Sequence, residues 1–219
     1  MADRPAPGGG RSAASKRRRT LLKVAVGAAA LTPAVLVVGR LLTGRLGANP
    51  IAELMNQLGL WTLITLLASL ACTPVKLVTG WKWPLQLRRM LGLIAFSYVS
   101  MHFLTYLVLD QFFDWAAIWQ DIAKRKFITV GFLGFLLLLP LAVTSTNKMV
   151  KRLGFPRWKR LHRLVYLAAT AGVIHFIWRV KADLLEPLIY AGVLVLLLAV
   201  RVVAWARDRR AGGGRPASS

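Results

Sequence analysis

The 219-residue chain is 56% hydrophobic and only 17% charged, with 30 Lys and Arg against 8 Asp and Glu, a net charge of +22 and a mean hydropathy of +0.54. So apolar a composition excludes disorder for most of the chain, and a lone cysteine, Cys72, excludes a disulfide scaffold and thiolate-built iron–sulfur or zinc sites. The basic residues cluster between long apolar runs, which is the pattern of an integral membrane protein and not of a nucleic-acid binder.

Met1 to Arg19 is rich in Pro, Gly, Ser and Arg and reads as a disordered basic tail. Six apolar runs follow: Leu21–Gly39, Leu54–Val75, Met90–Leu109, Phe127–Asn147, Leu164–Trp178 with backward extension through Leu161, and Leu188–Val200 continuing to Trp205. A helix needs about 20 residues to cross about 30 Å of hydrocarbon, so the pattern predicts an all-α polytopic bundle of about six transmembrane helices. Glu186 and Arg201 fall near the ends of the sixth, within reach of the interface. No period-2 alternation supports a barrel, and no internal repeat supports a transporter of duplicated halves. The Arg18–Lys23 segment imitates a twin-arginine signal and Ala28–Ala30 a cleavage site, but the apolar run continues past them, as in an uncleaved span.

Between the third and fourth runs, Trp115, Ile118, Trp119 and Ile122 recur at helical spacing. They fit a short surface helix or a loop tethered by two tryptophans. With the N-terminus inside, cytoplasmic segments hold 23 Lys and Arg and outer segments hold 7. That split predicts cytoplasmic termini and parallel third and fifth spans.

The only histidines, His102, His162 and His175, all fall on those two spans. His102 lies eight residues before Asp110, about 12 Å below the outer boundary, and His175 four residues before Arg179, about 6 Å below it. Two imidazoles at one level across a helix gap suit a six-coordinate haem iron. Zinc would require further ligands, and a proton relay, the other option, usually recruits an intramembrane carboxylate. His162 is 13 residues from His175, roughly 20 Å along the axis and about 140° around it, which predicts a second site at another depth.

Several blocks in order carry a resemblance: Arg88-Arg89-Met90-Leu91-Gly92-Leu93, Ser100-Met101-His102, Lys124 to Gly131, Thr144-Ser145-Thr146-Asn147, Arg157 to His162, Val165-Tyr166-Leu167, Ile174-His175-Phe176 and Pro187 to Gly192. Over about residues 55 to 205 the chain resembles the MsrQ (YedZ) family, within the ferric-reductase-like transmembrane group that includes NADPH oxidases. The resemblance implies a haem-binding subunit of the MsrPQ methionine sulfoxide reductase system in the bacterial inner membrane. Such a subunit is not catalytic on sulfoxide by itself. It passes electrons from the quinone pool, or from a cytoplasmic flavin reductase, to a periplasmic molybdenum-cofactor MsrP-like reductase.

The same resemblance implies one or two haem b groups held by His102, His162 and His175, and it brings FMN, for which the chain has no motif. The broader group carries two histidines on each of two helices, whereas Arg88 stands 14 residues before His102. Arg88 and Arg89 are therefore candidates for haem propionates or a flavin phosphate, or are topology-setting charge. The expected organisation is a tail at 1–19, a first helix and outer loop at 20–53, a haem-bearing core at 54–206 and a tail at 207–219. With no strands and no Gly-rich phosphate loop, the chain is expected to consume no NAD(P)H alone. The competing function is a small transporter or channel with histidine gating and no haem.

Overall fold

A computed structural model describes residues 9–180 and 182–212; Met1–Gly8, Lys181 and the last seven residues lie outside the described part. The described residues are helical, with no strand among them. The helices are α1 (Gly9–Leu42), α2 (Pro50–Thr79), α3 (Arg88–Leu104), α4 (Trp115–Lys124), α5 (Lys126–Val143), α6 (Asn147–Leu153), α7 (Phe155–Leu161), α8 (Leu164–Arg179) and α9 (Leu185–Gly212). Six stretches are long and apolar enough to cross a membrane: Ser15–Leu42, Pro50–Thr79, Arg88–Asp110, Lys126–Val143, Phe155–Arg179 and Leu185–Arg210. Each contains or closely matches one of the six apolar runs.

Local chemistry sets the ends. Asn49 caps α2 by accepting from the Ala52 amide at 3.1 Å, Pro50 takes its first position, and Gly80 closes it in the left-handed conformation at φ 74°. Asp114 caps α4 by accepting from the Ala117 amide at 3.0 Å, which decides for a helix where the sequence also allowed a tethered loop. α5 stops at Val143, four residues before the end of its apolar run, and Thr146 caps the next helix by accepting from the Met149 amide at 3.1 Å. The chain also breaks at His162–Arg163, between α7 and α8, so the fifth span is not one straight helix. At the first helix the apolar run propagates helix back through Ala13 and Lys16–Arg19 to Gly9, so this part of the expected tail is helical.

The bundle is built on two tight pairs, α2 with α3 and α5 with α8. Small residues line both seams, as close helix approach in a membrane requires. A Cβ on Gly92 would meet the Ser69 hydroxyl at 3.5 Å, and one on Gly134 would meet Ala171 at 3.6 Å. Ala95 and Ala169 are fully buried. The outer helices are secured at prolines. Pro74 has no amide hydrogen to give the Leu70 carbonyl, and Arg201 supplies a donor instead, its Nη2 at 2.6 Å and its Nη1 on the Tyr166 hydroxyl at 2.8 Å. Arg201 thus turns into the bundle, where the sequence had placed it at the interface. Beside Pro33, the buried Tyr98 hydroxyl accepts from the Ala34 amide at 3.1 Å and donates to the Ala30 carbonyl at 2.8 Å, bridging the ladder of α1.

Candidate cofactor site

The two helix pairs face each other across a cavity of about 560 Å³, and each contributes one histidine. The His102 and His175 ring centroids are 6.2 Å apart and their planes are nearly perpendicular, at 87°. The equal depth expected of them is therefore realised as a facing pair.

Each ring is held by the neighbouring helix of its own pair. His102 Nδ1 lies 2.9 Å from the Met55 carbonyl of α2, and His175 Nδ1 lies 2.7 Å from the Phe127 carbonyl of α5. A carbonyl only accepts, so both Nδ1 atoms carry the proton and donate it. Both Nε2 atoms are left with a lone pair, the state a metal requires. Four residues after each carbonyl stands a glycine. A Cβ on Gly59 would sit 3.3 Å from the His102 ring, and one on Gly131 only 2.5 Å from His175 Nδ1. Helix periodicity puts residues i and i+4 on one face, so carbonyl and glycine together form one cradle for the ring.

The inner wall of the cavity is aromatic. Phe103 and Phe135 stack at 4.9 Å, Phe103 meets Phe132 at 5.8 Å, and Phe135 reaches Phe96 at 6.1 Å. The mouth is covered by α4, whose Trp115, Ile118, Trp119 and Ile122 all line the cavity. Before α4 the chain passes through a π-helical turn, Thr105–Asp110, and then Phe112 and Phe113 at φ 46° and 60°. Consecutive left-handed phenylalanines are costly, and such strain gathers at functional sites. The Tyr106 hydroxyl donates to Asp121 at 3.3 Å, and Arg125 pairs with Asp121 at 3.2 Å.

These features fit a haem. Imidazole nitrogens lie about 2 Å from a bound metal, and adding the half-widths of two rings gives a centroid separation of about 6 Å. The volume falls within the range of cofactor pockets, and the walls are mainly apolar. No group of three or more His, Cys, Asp or Glu that could hold a metal exists among the described residues, so the donor set is the histidine pair alone.

His162 lies elsewhere. Its Nε2 is 3.1 Å from the Thr144 hydroxyl, and its ring stacks on Trp158 with centroids 3.9 Å apart. The Thr144 hydroxyl gives its one proton to the Pro140 carbonyl, so His162 Nε2 must donate and Nδ1 is the free nitrogen. Trp158 Nε1 donates to the Thr144 carbonyl at 3.0 Å. Arg89 donates to the Ser145 carbonyl and to Asn147 Oδ1, tying the start of α3 to the loop after α5. The Arg88 carbonyl accepts from the Ser69 hydroxyl at 2.8 Å. Neither arginine lines the histidine cavity. Arg125 and Arg179, which do, were not singled out from the sequence; their positions next to α5 and one turn after His175 were the available signal.

A helical membrane bundle with two inward imidazoles on parallel spans defines a class. Residues 57–173 match the family described as ferric reductase like transmembrane component. Relatives are closer still. The protein-methionine-sulfoxide reductase heme-binding subunit MsrQ of Rhodospirillum rubrum is 59% identical over 197 residues, covering 90% of this chain and 95% of the relative. The subunit of the same name from Caulobacter vibrioides is 47% identical over 202 residues, covering 92% and 95%. That from Deinococcus radiodurans is 47% identical over 180 residues, covering 82% and 89%. The chain belongs to the ferric-reductase-like transmembrane family and, within it, to the MsrQ family.

Proposed function

We propose that the chain is the haem-containing electron-transfer subunit of a methionine sulfoxide reductase system. In this reading it carries electrons from the respiratory quinone pool, or from a cytoplasmic flavin reductase, to a periplasmic MsrP-like reductase that repairs methionine sulfoxide in envelope proteins. The observation that carries it is the pair of perpendicular imidazoles 6.2 Å apart, both with Nδ1 tied to a backbone carbonyl. When bound, haem supplies a one-electron iron couple.

The protein's own part is positional. His102 and His175 present Nε2 from opposite helix pairs. Met55 and Phe127 hold the tautomer, Gly59 and Gly131 admit the rings, and α4 keeps water from the mouth. In this reading both termini lie in the cytoplasm of a bacterial inner membrane and the α4 end faces the periplasm, which the 23 to 7 charge split supports. There Phe112, Trp115 and Trp119 are largely exposed beside Lys124, Arg125 and Lys126, a surface suited to the acceptor reductase. His162, with Arg88 and Arg89, is the candidate position for a second cofactor at the inner end, haem or FMN, with His162 offering Nδ1.

The test is optical and then kinetic. Purified protein should show a reducible Soret band; a colourless preparation favours the channel reading. Reduced protein should be reoxidised promptly only when both the partner reductase and a sulfoxide are added. NADPH consumption by the purified chain with no flavoprotein present would refute the relay. Alkaline phosphatase should be active when fused after Gly47 and inactive after Ser219.

A further inference from the structure

The histidine cavity is apolar along its depth and charged only at its rim. Leu63, Leu66, Leu138 and Ala168 form its far wall, and no lysine or arginine reaches that depth. At the rim stand two guanidinium groups, from Arg125 and Arg179, and one carboxylate, Asp110, which accepts from the Gln111 side-chain amide at 2.9 Å. Arg179 follows His175 by four residues on α8 and so shares its helix face. Its guanidinium lies 5.6 Å from the Phe176 ring centroid, and it makes no ion pair with any described residue. Arg125 sits where α4 hands over to α5 and already pairs with Asp121 at 3.2 Å.

A haem b is a flat apolar macrocycle with two carboxylates on one edge. Carboxylates turned toward the far wall would lose hydration with no cation to receive them. Turned to the rim, they meet planar guanidinium donors made for carboxylates. We propose that Arg179 and Arg125 bind the two haem carboxylates at the α4 end, and so fix which edge of the cofactor faces the acceptor. This rests on the haem reading above. Arg179 has the larger share, since Arg125 divides its donors with Asp121. Arg89, spent on Ser145 and Asn147 at the other end of the bundle, has no part in it.

The test uses the full chain purified without haem and titrated with protohaem or with protohaem dimethyl ester, whose carboxylates are masked. Arg179→Gln should weaken protohaem binding roughly ten- to a hundredfold, the range of a charge-assisted hydrogen bond, and leave ester binding unchanged. Arg125→Gln should do the same to a smaller degree. Arg179→Lys should restore part of the loss. The midpoint potential should fall in Arg179→Gln with protohaem, since a haem carboxylate is left without its countercharge, and should fall less with the ester, which carries no charge there to uncover. Equal loss for both haems, or loss for neither, overturns the proposal. Failure of the haem reading looks different: the unaltered chain would take up neither haem, or would take up both equally well after His102→Ala.

Discussion

The two ends of the bundle treat their histidines in opposite ways. At the α4 end, His102 and His175 each give Nδ1–H to a main-chain carbonyl and leave Nε2 open toward a cavity. At the other end, His162 gives Nε2–H to a threonine hydroxyl and rests against Trp158 with the two planes inclined by 30°. Residue type is the same in all three. What differs is the acceptor that each ring finds, and with it the nitrogen that remains able to bind a metal. The hydrogen-bond partner thus decides which ring nitrogen a membrane histidine keeps free, and that partner always comes from an element other than the histidine's own.

Breaking the ligand pair should have the largest effect. His102→Ala or His175→Ala should abolish the six-coordinate low-spin spectrum. A double variant that kept full haem content and an unaltered spectrum would sink the assignment.

Next come the cradles, and here the two histidines should differ. Gly131→Ala puts a methyl group 2.5 Å from His175 Nδ1, and no flexible side-chain end is there to yield. The ring must move, and haem affinity should drop roughly 10–100-fold, as when a partner holding a metal-bound histidine is lost. Helix propensity alone would reward the same change by about 1 kcal/mol. The haem-free protein should therefore lose less stability than the displaced ring alone would cost, about 1–3 kcal/mol for a buried group without its partner. Gly59→Ala, at 3.3 Å from His102, asks for a shift of a few tenths of an ångström and should cost less affinity. Haem titration of both variants checks the order, and a larger effect at Gly59 would contradict it.

The opposite end supplies the contrast. Thr144→Val removes the acceptor of His162 and should cost about 1 kcal/mol of stability, the net worth of a hydrogen bond at a half-buried ring. His162→Ala and Thr144→Val should both leave the spectrum of the His102–His175 site in place. Loss of that spectrum in either variant would mean that the two ends are not independent.

The smallest effect is expected at the lid. Tyr106→Phe removes a single 3.3 Å hydrogen bond to Asp121, and Asp121 keeps Arg125. Haem should dissociate slightly faster, by no more than about tenfold for a bond worth about 1 kcal/mol. An unchanged rate would show that the apolar face of α4, with Ile118 buried, holds the lid by itself.

The six membrane-length helices were legible because bilayer thickness sets one length and composition satisfies it six times. The apolar spacing of Trp115, Ile118, Trp119 and Ile122 left a short helix and a tethered loop both open; that a helix forms there and roofs a cavity is seen only in the structure. Counting along the chain, where rise per residue is constant, put His102 about 12 Å and His175 about 6 Å below the outer boundary, a difference no larger than the few residues by which helix ends read from sequence vary. Rotation about each helix axis could not be counted in this way, since seam packing sets it, and with it the 6.2 Å approach and the 87° angle.

Arg88 and Arg89 drew attention because Arg88 stands 14 residues before His102, where the broader group has a histidine, and they pointed toward a site at the inner end. The rim of the cavity belongs instead to Arg125 and Arg179, which enter it from helices that are remote from one another in sequence. The prolines show the same division. Pro74 announces by itself that the Leu70 carbonyl loses its helical donor, because proline has no amide hydrogen. That the donor is replaced by Arg201, 131 residues beyond Leu70, follows only from the packing of α9 against α2. Local chemistry thus determined where helices run and which backbone groups they leave open, because those depend on neighbours within a turn. Tertiary structure decided what fills the open positions, because a partner from another helix is chosen by packing in three dimensions and leaves no mark in the spacing along one.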